Sequence, residues 1–214
     1  MTEPRSGCLI VFEGIDGVGK STQANALADA LTARGYEVVR SREPTHGPYG
    51  QRIRQSQTNA RLGPDEELEL FLLDRREHVD TLIAPSLAAG RIVILDRYYF
   101  STIAYQGARG FELAELKARN EAFAPAPDLL FILDLAPEAG LRRIQELRGD
   151  ALDTFETPAL LERSRAIFLD LATLPYARRV DAGDDVEAIR ARIIALVEPL
   201  LDDRGARLRR APSP

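Results

Sequence analysis

The residues best equipped for chemistry stand near the amino terminus, in Gly14-Ile15-Asp16-Gly17-Val18-Gly19-Lys20-Ser21. This run fits G-x-x-x-x-G-K-[ST], in which the glycines let successive backbone N–H groups turn toward one anion. Lys20 is placed to reach the β- and γ-phosphates of a nucleotide, and the hydroxyl of Ser21, followed by Thr22, to ligate a magnesium ion. Context supports the motif: the apolar run Cys8 to Phe12 precedes it as a strand, and a helix follows whose positive end would face the same phosphates. A second acid suits the same site. Ile92 to Leu95 is an apolar strand ending in Asp96, which brings a carboxylate to the magnesium water shell. These features establish nucleoside triphosphate binding and leave the reaction open.

Three classes of protein use such a loop. A GTPase switch needs a guanine-reading N-K-x-D element, and Asn25, Asn59 and Asn120 stand in no such context. Motor and assembly ATPases are usually larger and work through partner subunits. A small-molecule kinase needs a second phosphate site facing the γ-phosphate and a means of excluding water. Candidates for both are present. Arg97 follows Asp96 at the carboxyl end of a strand, where α/β folds bind ligands, and its guanidinium suits bidentate capture of an acceptor phosphate. Arg42-Glu43-Pro44 ends the second strand on the same edge, and Arg142, Arg143 and Arg148 gather near Gly149 and Asp150 as a short lid around residues 142–156. The kinase reading follows, with Lys20, Arg97, Arg143, Arg148 and Asp16 as its catalytic set and ATP with Mg2+ as donor. A second reading is a deoxynucleoside kinase, in which Glu43 takes the 5′-hydroxyl proton as general base. A third is a regulator that senses ATP without turnover.

The elements that must position these groups alternate along the chain. Apolar, β-rich runs occur at Cys8 to Phe12, Glu37 to Arg40, Ile92 to Leu95, Leu129 to Leu133 and, more weakly, Arg178 to Val180. Helical spacing marks Ser21 to Arg34, Glu66 to Leu87, Leu113 to Phe123, Ala159 to Ala172 and Val186 to Leu201. Continuous apolar strands between helices predict an α/β fold of the P-loop NTPase type, three layers with a five-stranded parallel sheet flanked by helices. One domain is expected over residues 1–201, with a flexible basic tail over 202–214.

Composition bounds the rest. The chain of 214 residues is 45% hydrophobic and 29% charged, with a net charge of −5, which argues against a general nucleic-acid or anionic-membrane partner. Cys8 has no second cysteine to pair with and sits in an apolar run, as a core residue does. His46 and His78 are far apart and accompany no cysteine pair, which excludes a structural zinc motif. Met1 to Gly7 lacks the apolar run of an export signal, and no stretch reaches the ~20 apolar residues of a membrane helix, so a cytoplasmic location is expected.

In this light the chain resembles the thymidylate kinase family. The resemblance runs through Glu13-Gly14-Ile15-Asp16-Gly17-Val18-Gly19-Lys20-Ser21-Thr22, Arg42-Glu43-Pro44, Phe71-Leu72-Leu73-Asp74-Arg75, and Asp96-Arg97-Tyr98 continuing to Ser101-Thr102-Ile103-Ala104-Tyr105-Gln106-Gly107. Pro127-Asp128-Leu129 to Gly140-Leu141 extends it, and the Asp-Arg-Tyr to Tyr-Gln segment is its most specific part.

The resemblance implies phosphoryl transfer from ATP to dTMP by a homodimer. It implies that Phe71 stacks on the thymine ring, that Arg75 hydrogen-bonds a ring carbonyl, and that Arg97 grips the acceptor phosphate. Residues four apart share a helix face, so an aromatic plate and a donor would present together. Thr102 would lie near the base edge and Tyr105 would crowd a ribose 2′-hydroxyl, with Gln106 and Glu43 completing the acceptor side. Asp16 and Glu43 are the acids implied near magnesium and acceptor, which adds Glu43 to Ser21 and Asp96 as a metal candidate. Family members without an arginine in the phosphate loop, as here with Gly17, take their catalytic arginines from the lid. Two departures stand out: Thr45-His46-Gly47-Pro48 replaces the usual pair of glycines, and Asp153-Thr154-Phe155-Glu156 lacks the usual lid arginine.

Overall fold

The computed structural model describes residues 6–58, 62–148, 157–204 and 208–211. Five parallel strands, β1 (Cys8–Glu13), β2 (Val38–Arg42), β3 (Ile92–Asp96), β4 (Leu129–Asp134) and β5 (Ala177–Asp181), form one sheet in the order β2-β3-β1-β4-β5. Every residue of β1, β3 and β4 is buried, as continuous apolar runs require when helices cover both faces. Phe12 and Phe131 stack across β1 and β4 with centroids 5.0 Å apart. The edge strands β2 and β5 keep polar residues partly in water. The expected α/β fold with five flanked parallel strands is the observed one.

The helices are α1 (Lys20–Ala33), α2 (Pro48–Thr58), α3 (Pro64–His78), α4 (Ala84–Ala88), α5 (Tyr99–Ala108), α6 (Leu113–Glu121), α7 (Pro137–Arg148), α8 (Pro158–Leu171) and α9 (Val186–Arg204). A π-helical turn, Val79–Ile83, joins α3 to α4, so the expected helix Glu66 to Leu87 is continuous but rewound at its middle. Pro85 explains the position: it lacks an N–H for the turn before it, and the looser ladder absorbs that loss. Helices α2, α5 and α7 exceed the sequence expectation, and Arg142 and Arg143 lie within α7 rather than between helices.

The expected flexible tail from residue 202 requires correction over the described residues. Helix α9 continues to Arg204, and Leu208 is buried in the core cluster. Arg209 N–H donates to Gly90 O at 2.7 Å, Arg210 bridges to Tyr36 and stacks on its ring at 3.8 Å, and Ala211 N–H donates to Gly35 O. The basic residues thus close the amino end of the sheet.

The carboxyl end is where ligands bind in such folds. There β1 and β3 are neighbours, with Phe12 opposite Asp96, and the Arg97 N–H donates to Phe12 O at 2.9 Å. The phosphate-loop motif and the Asp96-Arg97 pair therefore emerge side by side.

Candidate active site

The loop between β1 and α1 turns on glycine. Gly17 has φ +80°, and a Cβ there would lie 2.2 Å from the Gly140 carbonyl oxygen, while one on Gly140 would lie 2.7 Å from Asp16 O. Only two glycines allow the loop to touch α7 this closely, which brings the helix bearing Arg143 against the loop. Arg148 is the last residue of α7, and the remainder of the expected lid, residues 149–156, lies outside the described residues, as does the Arg148 side chain.

Lys20 opens α1 and is buried, and its Nζ donates to Ile15 O at 2.7 Å across the loop. Burial and the nearby Arg97 pull its ammonium down to about 8, against the opposing pull of Asp16, Asp96 and Glu13. A triphosphate would add negative charge to that of Asp16, whose Oδ1 lies 4.0 Å from the ammonium. Next to it, the Ser21 hydroxyl donates to Asp96 Oδ2, and Asp96 Oδ1 is buried without a hydrogen-bond partner among the described residues. A hydroxyl beside a buried carboxylate oxygen with capacity to spare fits a hydrated divalent cation. A cleft of about 330 Å³ opens here, lined in part by Ser21, Asp96, Arg42 and His46.

Arg97 lies at the mouth of this loop. Its Nη2 donates to Asp16 Oδ1, its Nη1 donates to Ser101 Oγ at 3.1 Å, and its guanidinium stands 5.5 Å from the Tyr105 ring centroid. The Tyr105 hydroxyl donates to Asp16 Oδ2 at 3.1 Å, so one loop carboxylate ties together two residues expected on the acceptor side. Burial opposes the Arg97 charge, but Asp16, Tyr105, Asp96 and Glu13 outweigh it and hold the proton more firmly than in water.

The fully buried last residue of β1, Glu13, faces the same arginine. Burial pushes its carboxyl up to about 7, although Ser101, Arg97, Tyr98 and Lys20 all draw it down.

A second polar cluster sits between α3 and α5. Arg75 is fully buried, with Nε 2.9 Å from Glu43 Oε2, Nη1 2.5 Å from Asn120 Oδ1 and Nη2 3.1 Å from Thr102 Oγ1. His78 Nδ1 lies 3.0 Å from the other Glu43 oxygen, and its Nε2 lies 2.8 Å from Ser41 Oγ. Phe71, one turn before Arg75, is half-buried on the same helix. Another turn earlier Glu67 receives Gln106 Nε2 at 3.2 Å and pairs with Arg109. Phe71 therefore stands on α3 between two fixed polar clusters, one at Arg75 and one at Glu67.

The comparisons with known proteins bear on this geometry. A family model described as thymidylate kinase matches residues 12–193. The chain belongs to the thymidylate kinase family. Among the proteins it is similar to is thymidylate kinase of Xanthomonas euvesicatoria pv. vesicatoria, 54% identical over 198 residues, covering 92% of this chain and 86% of that one. Thymidylate kinase of Desulfotalea psychrophila is 50% identical over 196 residues, 91% of this chain and 96% of its own.

In this family member the structure brings Gly14, Ile15, Asp16, Gly17, Val18, Gly19, Lys20 and Ser21 into one loop with Asp96, Arg97 and Tyr105 beside it. Glu43 is placed differently from Ser21 and Asp96. Both its oxygens are held by Arg75 and His78, which joins it to the buried cluster on α3. The departure at Thr45-His46 is absorbed locally: Thr45 N–H and Oγ1–H donate to Asp74 at 2.8 and 2.6 Å, and Arg54 caps the Pro44 and Thr45 carbonyls. Sequence reasoning missed Asn120, His78, Ser101 and Glu13. Of these Ser101 and Glu13 stood within the family-like segments without a role, and Glu13 also left a signal as an ionisable residue closing an otherwise apolar strand.

Proposed function

We propose that this chain transfers the γ-phosphoryl group of ATP to dTMP, giving ADP and dTDP. The observation that carries the reading is the contact between Asp16 of the donor loop and the Arg97 guanidinium, which sets an acceptor-phosphate cradle at the mouth of the triphosphate cradle. Membership of the thymidylate kinase family supports the choice of acceptor.

The attacking oxygen of a nucleoside monophosphate is already anionic near neutral pH, so transfer needs alignment and charge neutralisation rather than a strong base. Loop N–H groups and Lys20 hold the β- and γ-phosphates, with Lys20 giving up its contact to Ile15 O. Ser21 and Asp96 would hold the divalent cation, proposed to be Mg2+, which would neutralise phosphate charge in the donor site. Arg97 aligns the acceptor phosphate and is held by Asp16, whose other oxygen accepts from the Tyr105 hydroxyl. Arg143 on α7 brings positive charge over the transferring group, and Arg148, whose side chain lies outside the described residues, is kept as the second lid arginine. On the base side Phe71 stacks and Arg75 reads a ring carbonyl, with Thr102 alongside and Gln106 tied to Glu67. Glu43 serves by anchoring Arg75. A carboxylate held by both Arg75 and His78 is poorly suited to take a proton from a 5′-hydroxyl, which disfavours the deoxynucleoside kinase reading. The finer proposals, a cytoplasmic homodimer, rest on the family resemblance, with Leu73 of α3 exposed as a dimer contact would require.

The test is a panel of nucleosides and nucleoside monophosphates with purified protein, ATP and Mg2+. ADP and dTDP are expected with dTMP and no turnover with thymidine. Turnover of thymidine without dTMP would replace this reading with the hydroxyl acceptor.

A further inference from the structure

Arg97 is the one non-glycine residue in the left-handed region among the described residues, with φ +71°. A long side chain carries a steric penalty there, and such a turn persists only where its surroundings over-determine it. Its surroundings centre on Glu13. Tyr98 N–H and Ser101 N–H donate to Glu13 Oε1 at 2.8 and 3.0 Å, and Ser101 Oγ–H donates to Oε2 at 2.6 Å. The Ser101 hydroxyl has one proton, and Glu13 takes it, so a lone pair is left facing Arg97 Nη1 at 3.1 Å. One carboxylate on the central strand thus caps the start of α5, brackets the strained turn and polarises the hydroxyl that holds the guanidinium. Glu13 has no exposed surface, so any effect on a ligand must pass through these neighbours.

We propose that Glu13 is a positioning residue for acceptor recognition, which holds the left-handed turn at Arg97 and, through Ser101, aims the guanidinium at the dTMP phosphate. The proposal rests on the reading of dTMP as acceptor. Glu13→Gln is the sharpest probe. Its amide oxygen can still accept the two backbone N–H groups, but its NH2 now donates to Ser101 Oγ and competes with Arg97 for the same lone pairs.

The experiment compares wild type, Glu13→Gln, Ser101→Ala, Arg97→Ala and the Glu13→Gln/Arg97→Ala double variant. It measures dTMP affinity by calorimetry, and kcat and KM for dTMP and for ATP. Glu13→Gln is expected to weaken dTMP binding and kcat/KM by about tenfold, with the ATP KM shifted by less than about twofold. Ser101→Ala should move the same quantities in the same direction by less. In the Arg97→Ala background, Glu13→Gln should add less than about twofold, because its effect runs through Arg97. Equal losses for ATP and dTMP, or a full repeat of the loss without Arg97, would overturn the proposal. If Glu13→Gln fails to fold by circular dichroism, Ser101→Ala alone and combined with Arg97→Ala decides by the same criteria. A wild type active on dTMP with a neutral Glu13→Gln sinks the positioning role alone, whereas a wild type that neither binds nor phosphorylates dTMP sinks the substrate reading and this proposal together.

Discussion

Glu13 and Glu37 stand at opposite ends of the same sheet, and each meets two cationic side chains. Glu37, just before β2, accepts from Arg91 at 3.0 Å and from Arg209 at 2.7 Å, all three reaching solvent, and Arg91 then Arg209 hold its carboxyl below the usual range. Glu13, ending β1, feels Arg97 and Lys20 from within the core, and burial wins over both, so its carboxyl is pushed up to about 7. The amino end is a place of matched, wetted pairs. At the carboxyl end charges are buried before they are matched: Asp96 Oδ1 has no partner among the described residues, Lys20 is drawn down to about 8, and Arg97 holds a strained backbone. The fold thus keeps its unsatisfied electrostatics at the end where the proposed polyanionic ligand and cation would complete them.

The largest effects should come from breaking that end. Lys20→Ala is expected to lower kcat for dTDP formation by about 10³-fold, since a buried cation aimed at the developing charge would be lost. Thermal stability should change little or rise, because the removed ammonium is desolvated and disfavoured. A variant that kept activity within tenfold would show that the loop binds phosphate without Lys20. Arg97→Ala should reduce kcat/KM for dTMP by about 10²-fold while leaving ATP binding nearly intact. Unchanged turnover at every dTMP concentration would remove Arg97 from the acceptor site.

The difference between the two ends also explains what the sequence revealed. The phosphate loop, Asp96 and Arg97 were legible because their chemistry is fixed by close spacing and by strand ends. The Arg75 cluster was legible in part: Phe71 and Arg75 share a helix face by spacing, but Asn120 lies 45 positions away and carries no local signal. Helix α5 was hidden because Tyr99, Phe100, Thr102, Ile103 and Tyr105 are aromatic or β-branched, and tertiary packing overrides their weak helix propensity. The described part of the expected flexible tail was hidden by distance, since Arg209 finds Glu37 at a separation of 172 residues. Local composition carries no record of such a partner.

A pH series sharpens the comparison at intermediate size. Glu13 titrates near 7 in the folded chain and near 4.5 unfolded, so the native state binds the extra proton between those values. Its contribution to stability is full below about pH 4.5 and is lost as pH rises toward 7, a change of up to about 3 kcal/mol. Lys20 acts in a separate window with the opposite sign: between about 8 and 10.5 the unfolded chain holds more protons, and stability rises with pH. Urea unfolding at pH 5 and pH 7.5 should therefore show the wild type losing stability relative to Glu13→Gln. Parallel curves for the two proteins would mean that Glu13 is ionised throughout, with its partners outweighing its burial.

The amino end should respond to mutation in stability alone. Leu208 is 5% exposed and belongs to the core cluster, held there by a short segment whose neighbours pair in water. Leu208→Ala is expected to cost about 2 kcal/mol, the low end for a buried leucine, because the surface segment that carries it can shift inward rather than leave a full cavity. Glu37→Gln should shift the urea midpoint less than that, since exposed pairs contribute little and salt screens them. Both variants should keep wild-type kcat and KM for dTMP and ATP. A large loss of activity in folded Leu208→Ala would mean that the closing segment communicates with the phosphate loop across the sheet, and the division of labour between the two ends would fail.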